Sequence, residues 1–198
     1  MKIFSYANRG YEGELIEIEA DLRRGMPGFD IVGLPDSAVR ESRERVRAAL
    51  RNSGFSFPRE RVLVNLAPAG IRKEGASLDL AIALVILMKS SIISFSAIEK
   101  VMVLGELELS GRLRRVKGVS GAIAAGITHG IDCFIIPLSD VADGKGCCND
   151  VMYMGKHRVF AVADVKTAVQ TLISIIDGKS LISSSLQKIQ SGNRGSGI

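Results

Sequence analysis

The stretch Asn65–Met88, NLAPAGIRKEGASLDLAIALVILM, constrains the fold more than any other part of this chain. It leaves an apolar strand, Arg61-Val-Leu-Val-Asn-Leu66, and passes through turns at Pro68, Gly70 and Gly75. It then enters a helix whose Leu78, Leu80, Ile82, Leu84, Val85, Ile86 and Leu87 fall all round a wheel of 3.6 residues per turn. A helix without a polar face must be buried, so this one is expected at the centre of the core. Ser77 stands where an N-cap belongs, and Asp79 lies in the first turn, where a carboxylate meets the positive end of the helix dipole. The polar loop Arg72–Asp79 is therefore held between a core strand and a core helix, a common setting for functional groups.

Elements before this stretch are read from period and punctuation. Residues 2–7 alternate as a strand, Gly10 and Gly13 bracket a turn, and Glu14–Leu22 returns as a second strand, forming a hairpin. Phe29–Val32 is a short strand. Gly33-Leu-Pro-Asp36 then turns the chain into a helix over Ser37–Asn52, with Asp36 as N-cap and Gly54 just past its end. Val39, Val46 and Leu50 mark its buried stripe. Arg40, Arg43, Arg47 and Arg51 recur beside it at helical spacing, with Glu41–Arg45 and Arg40–Glu44 in position to pair. Such a ridge is either a solvated face laced with ion pairs or a contact for phosphates or an acidic partner.

After the central helix, 89–100 reads as a connection with a helical turn. Val101–Glu106 is a buried strand, and Leu107–Leu113 a tight hairpin at Ser110-Gly111. Arg112, Arg114, Arg115 and Lys117 cluster there. A small-residue helix over Gly118–His129, a strand over Cys133–Pro137, a polar loop over 138–156, a strand over Arg158–Val162 and an Asp164-capped helix to Ile176 complete the pattern. Residues from 178 to 198 are Ser/Gly-rich and are expected to be a weakly ordered tail after one domain spanning 1–177.

Composition narrows the function classes. The 198 residues are 46% hydrophobic and 24% charged, with net charge +5. This is globular and mildly basic, compatible with nucleic acid or an acidic partner. Three cysteines give no disulfide framework or zinc spacing. There is no secretory h-region, and the apolar run Leu80–Met88 is too short to cross a bilayer, so a cytoplasmic protein is expected.

Few residues offer catalysis. Gly178-Lys179-Ser180 imitates the end of a phosphate-binding loop, but Ile173 stands where the motif needs glycine and a helix precedes it, so no nucleotide site is assigned. His129 and His157 lie in no ligand-spaced cluster, and no metal or cofactor site is expected. Ser77, at a helix start, is the one candidate nucleophile. It needs a base, for which Lys73 and Lys117 are the candidates.

Three segments carry a family resemblance: IVGLPDSAVRESRERVRAALRNSGFSFP (31–58), VNLAPAGIRKEGASLDLAIAL (64–84) and LGELELSGRLRRVKGV (104–119). In this order they resemble the N-terminal domain of the magnesium-chelatase-related AAA+ proteins of the YifB/ComM type, over residues 2 to about 177. The resemblance implies an α/β domain (an α+β, two-layer arrangement) with a mixed sheet packed against helices, as in the proteolytic domain of Lon and one ribosomal protein domain. It also implies that an ATPase domain follows in full-length relatives, where ATP and magnesium would bind, and that the ComM branch is a hexameric helicase migrating DNA branches during natural transformation.

The sequence ends at Ile198 without Walker motifs, so the expectation is a non-catalytic accessory or assembly domain of a ComM-type DNA-processing ATPase, split off or truncated. Arg40, Arg43, Arg47, Arg51, Arg112, Arg114 and Arg115 are its expected contacts to DNA phosphate or an acidic partner. Its expected protein partner is an ATPase half or further copies of itself. The likeness to Lon places Ser77 at Lon's catalytic serine, but the partner lysine falls at Ala122 and Lys117 lies more than a turn earlier. The alternatives are a Lon-like serine peptidase using Ser77 with Lys117, and a gene remnant without function.

Overall fold

The computed structural model describes residues 2–9, 12–90, 100–141 and 151–176. The expected connection at 91–99, part of the loop at 142–150 and the tail from 177 lie outside these residues.

Strands β1 (Lys2–Arg9) and β2 (Glu12–Arg23) form the expected hairpin, in register from Lys2–Glu19 to Arg9–Glu12, with Gly13 inside β2 opposite Asn8. β3 (Gly28–Val32) leads into α1 (Ser37–Asn52), and β4 (Arg61–Ala67) returns parallel to β3. Next come α2 (Asp79–Lys89), β5 (Val101–Val103), and the small hairpin of β6 (Glu106–Leu107) and β7 (Leu113–Arg114). α3 (Val119–Thr128), β8 (Cys133–Pro137), β9 (Val151–Met154), β10 (His157–Val162) and α4 (Val165–Ile176) follow. Eight strands make one mixed sheet in the order β3-β4-β2-β1-β5-β8-β10-β9. The mixed sheet packed against helices is thus the architecture that the family resemblance implies.

The strand period of two decides which face each side chain serves. Ile3 and Ala7 of β1 join the large core with Val62, Val64 and Leu66 of β4 and the inner faces of α1, α2 and α4. Phe4 and Tyr6 point the other way, into a smaller core with Met102, Phe134 and Ala122 and Ile123 of α3. Among the described helices, α3 alone therefore covers part of the opposite face. In α2 every residue from Asp79 to Met88 is buried, as its all-round apolar wheel requires. Each fully buried Leu or Ile there contributes about 1.5–3 kcal/mol by leaving water.

Three local readings change. The strand expected over Val101–Glu106 ends at Val103, and Glu106 begins β6 of the separate small hairpin. Ser77 does not cap α2: the helix starts at Asp79 and no side chain caps it. The β5–β6 connection takes that role, because Leu80 N–H donates to the Gly105 carbonyl (3.0 Å) and Gly105 N–H donates to the Ser77 carbonyl (2.9 Å). Part of the expected 138–156 loop is strand: Val151–Met154 pairs antiparallel with β10 and ends the sheet.

Thr171 of α4 is 1% exposed, and its Oγ1 has no hydrogen-bond partner among the described residues. A buried unsatisfied hydroxyl costs about 1–3 kcal/mol. Thr171→Val keeps the shape and removes that cost, so the melting temperature is expected to rise by about 2–4 °C per kcal/mol recovered. A fall in thermal unfolding would contradict this.

Candidate functional site

The turn before α1 and the loop before α2 are tied into one structure by Asp36. One carboxylate oxygen accepts from Val39 N–H (2.7 Å), capping α1 as expected. The other accepts from Gly75 N–H (3.2 Å). The main chains are also laced together: Asp36 N–H donates to the Lys73 carbonyl (3.0 Å), and Lys73 N–H donates to the Leu34 carbonyl (3.1 Å). The lacing leaves Leu34 in the left-handed region at φ 56°, with its side chain 56% exposed. A branched side chain in that region is uncommon, and surrounding structure must hold it there. Leu34, Pro35, Asp36, Ser37, Arg40 and Arg72 line an open depression of about 450 Å³.

Lys73 is fully buried beneath this loop, and its Nζ donates to the Pro68 carbonyl. Burial pushes its pKa below the ordinary lysine value. Between the folded value and the ordinary 10.5, the unfolded chain holds a proton that the folded chain has lost. Stability therefore rises with pH across that window. Compared with Lys73→Met, the parent protein is expected to gain stability as pH approaches 10.5, measured by urea midpoints; a pH-independent difference would contradict it.

A second junction centres on Asp79. Its buried carboxylate accepts from Arg45 Nε (2.7 Å), Arg45 Nη2 (3.1 Å), Ser42 Oγ and Leu107 N–H (3.2 Å). Hydrogen bonding to Asp79 is the main reason the Arg45 pKa is raised. Arg45 also donates to the Ala38 carbonyl (2.9 Å) and lies 3.8 Å from Glu41, the expected i,i+4 partner. One carboxylate thus fastens α1, α2 and the β6–β7 hairpin together, where the sequence pattern suggests only a first-turn charge.

The seven arginines singled out in the sequence divide into distinct groups. Arg43 Nη1 reaches the Phe29 carbonyl (3.5 Å), and Arg47 lies over the Phe57 ring (5.0 Å). Arg114 pairs with Glu106 (3.6 Å) and Glu108 (3.3 Å), and Arg115 with Asp140 (3.1 Å). The guanidinium groups of Arg40, Arg51 and Arg112 have no acidic partner among the described residues, and the expected Arg40–Glu44 pair does not form. Asn52 Nδ2 donates to the Leu109 carbonyl (2.7 Å), and Gly111 packs on Ser53 and Ala49. The hairpin carrying Arg112 is thereby docked on the last turn of α1, which carries Arg51.

Ser77 sits half-buried just before α2, and its Oγ makes no hydrogen bond to a lysine among the described residues. Lys117 precedes α3, which packs on the opposite face of the sheet from α2. His129 and His157 direct Nδ1 at the carbonyls of Ala125 and Ile131, each at 2.8 Å. No group of three metal-ligating side chains occurs among the described residues, and no described helix is long and apolar enough to cross a membrane. Arg72 opens the polar loop that the sequence marks as a setting for functional groups, whereas Leu34 carries no signal. The Gly-Leu-Pro-Asp turn marks only a chain reversal there.

The family described as "Subunit ChlI of Mg-chelatase" matches residues 18–140. An uncharacterized protein of Mycobacterium tuberculosis is 42% identical over 144 residues, covering 73% of this chain and 29% of that protein. The competence protein ComM of Haemophilus influenzae is 45% identical over 123 residues, 62% of this chain and 24% of its own. The uncharacterized YifB of Salmonella typhimurium is 33% identical over 177 residues, 89% of this chain and 33% of its own. The chain thus spans about a quarter to a third of the length of these relatives.

Proposed function

Since the chain belongs to the magnesium-chelatase-related YifB/ComM family, we propose that it is a non-catalytic binding and assembly domain of a DNA-processing ATPase of the ComM type. In this reading ATP and magnesium serve the ATPase portion of such proteins, and this domain supplies a contact surface. The partner of that surface is DNA phosphate, the class of ligand implied by the resemblance to the ComM branch.

The observation that carries the reading is the state of the arginines. Arg40 and Arg51 stand exposed on α1, and Arg112 on the hairpin docked at its end, without an acidic partner among the described residues. Guanidinium groups left unpaired on a mildly basic domain suit phosphate geometry and cost nothing to redirect. By contrast, Arg114 and Arg115 are engaged with acids and contribute less.

The test is fluorescence anisotropy with a labelled DNA duplex. Replacing Arg40, Arg51 and Arg112 together with alanine is expected to weaken binding about tenfold or more at low salt. Replacing Arg114 and Arg115 should have a smaller effect. Equal affinity of the parent and the triple variant would overturn the assignment.

A further inference from the structure

β3 is the terminal strand of the large sheet, paired with β4 on one side only among the described strands. Natural edges are ordinarily blunted by charge, proline or a covering element. This one is blunted only in part: Pro27 precedes the strand, and Arg43 Nη1 reaches the Phe29 carbonyl (3.5 Å). Its single in-strand charge, Asp30, is neutralised by Arg61 at 2.8 Å. Three of the seven large apolar side chains exposed among the described residues bracket it: Met26 (87%), Val32 (43%) and Leu34 (56%). Leu34 is held outward by the Lys73 main-chain bond, and Gly33 presses its backbone against Leu66, so this apolar contact is built into the fold.

Guanidinium groups lie beside the edge together with two carboxylates: Asp36 lines the same depression, and Arg72 lies 3.7 Å from Glu74. Arg43 touches the Phe29 carbonyl, Arg47 covers Phe57, which in turn packs on Phe29 (5.4 Å), and Arg40 and Arg72 line the depression next to Leu34. An edge without a further strand among the described residues, apolar side chains at both ends and guanidinium groups alongside match one kind of occupant.

We infer that β3 is a strand-addition site that takes an extended acidic segment of another polypeptide as the next strand of the sheet. Main-chain hydrogen bonds to β3 supply the affinity. Apolar side chains of the added strand meet Met26, Val32 and Leu34, and its carboxylates meet Arg40 and Arg72. DNA offers no strand of amide groups and nothing for the apolar side chains, so the edge reads as a protein site. Arg40 is shared with the DNA reading, and Leu34→Gly separates the two because it leaves every arginine in place.

The probe is a short fluorescent peptide of alternating glutamate and valine, capped at both ends, titrated into the intact chain. Three comparisons accompany it: the same peptide N-methylated at either alternate set of amides, a lysine–valine counterpart, and the variants Leu34→Gly and Arg72→Glu. Glycine accepts the φ of Leu34, so folding is not at stake, and thermal unfolding verifies it. The expected result is binding of the glutamate peptide that falls about tenfold or more with one of the two N-methylation patterns and with each variant. Duplex DNA binding by Leu34→Gly should stay unchanged. No binding, equal binding of the lysine peptide, or indifference to both N-methylation patterns and to Leu34→Gly would overturn the inference.

Discussion

Asp79→Ala is expected to lower the unfolding free energy by about 3–5 kcal/mol, the usual loss when one partner of a buried ion pair is removed. The carboxylate is fully buried and accepts from Arg45, Ser42 and the Leu107 amide. Its removal strands a guanidinium whose side chain is only 21% exposed and leaves the Leu107 N–H without its acceptor. Three elements loosen at once, because α1, α2 and the β6–β7 hairpin meet at this group. Asp79→Asn keeps the volume and part of the hydrogen bonding, so its loss is expected to be smaller. Urea unfolding of the two variants measures both. An Asp79→Ala loss below about 1 kcal/mol, the range of an exposed pair, would show that the junction is not coupled as described.

Gly33→Ala is expected to be comparably damaging, for a different reason. Gly33 sits at φ 101°, and a Cβ there would stand 2.0 Å from the Leu66 carbonyl oxygen. The neighbour is main chain of β4, so relief requires the strand and the turn to separate. Backbone strain of this kind costs on the order of 1–3 kcal/mol before the clash is counted. Gly75→Ala is the matched control: φ is 84°, but nothing lies within 4 Å of the added carbon. It should lose only about 1 kcal/mol, the conformational part alone. Equal losses at the two positions, by thermal or urea unfolding, would show that the turn does not press on β4.

Much of the architecture is legible in the sequence because it follows from period and punctuation. The all-apolar wheel of α2, the bounds of α1 with Asp36 as its cap, and the β1–β2 hairpin depend on neighbours in the chain. What is not legible depends on contacts between distant residues. Asp79 and Arg45 are separated by 34 positions, so the local Glu41 is the visible partner for Arg45. The start of α2 is misplaced by a local reading because the Gly105 carbonyl, not the Ser77 side chain, accepts from the Leu80 amide. Likewise, the arginine pattern marks a basic ridge but does not show which guanidinium groups are occupied. Asp140 takes Arg115 across 25 positions, and Phe57 takes Arg47 through its ring face. The exposed Leu34 lacks any signal, since the residues that hold its φ lie in the loop before α2.

Arg40, Arg51 and Arg112, which have no acidic partner among the described residues, are proposed to meet DNA phosphate. The most direct measurement is the dependence of duplex affinity on salt, for the parent chain and for the Arg40, Arg51, Arg112 triple alanine variant side by side. Removing one arginine that neutralises a phosphate reduces the slope of log K against log salt by about 0.9, so the two slopes are expected to differ by about 2.7 if all three arginines meet phosphate. Parallel slopes, or affinity insensitive to salt in both proteins, would contradict the account.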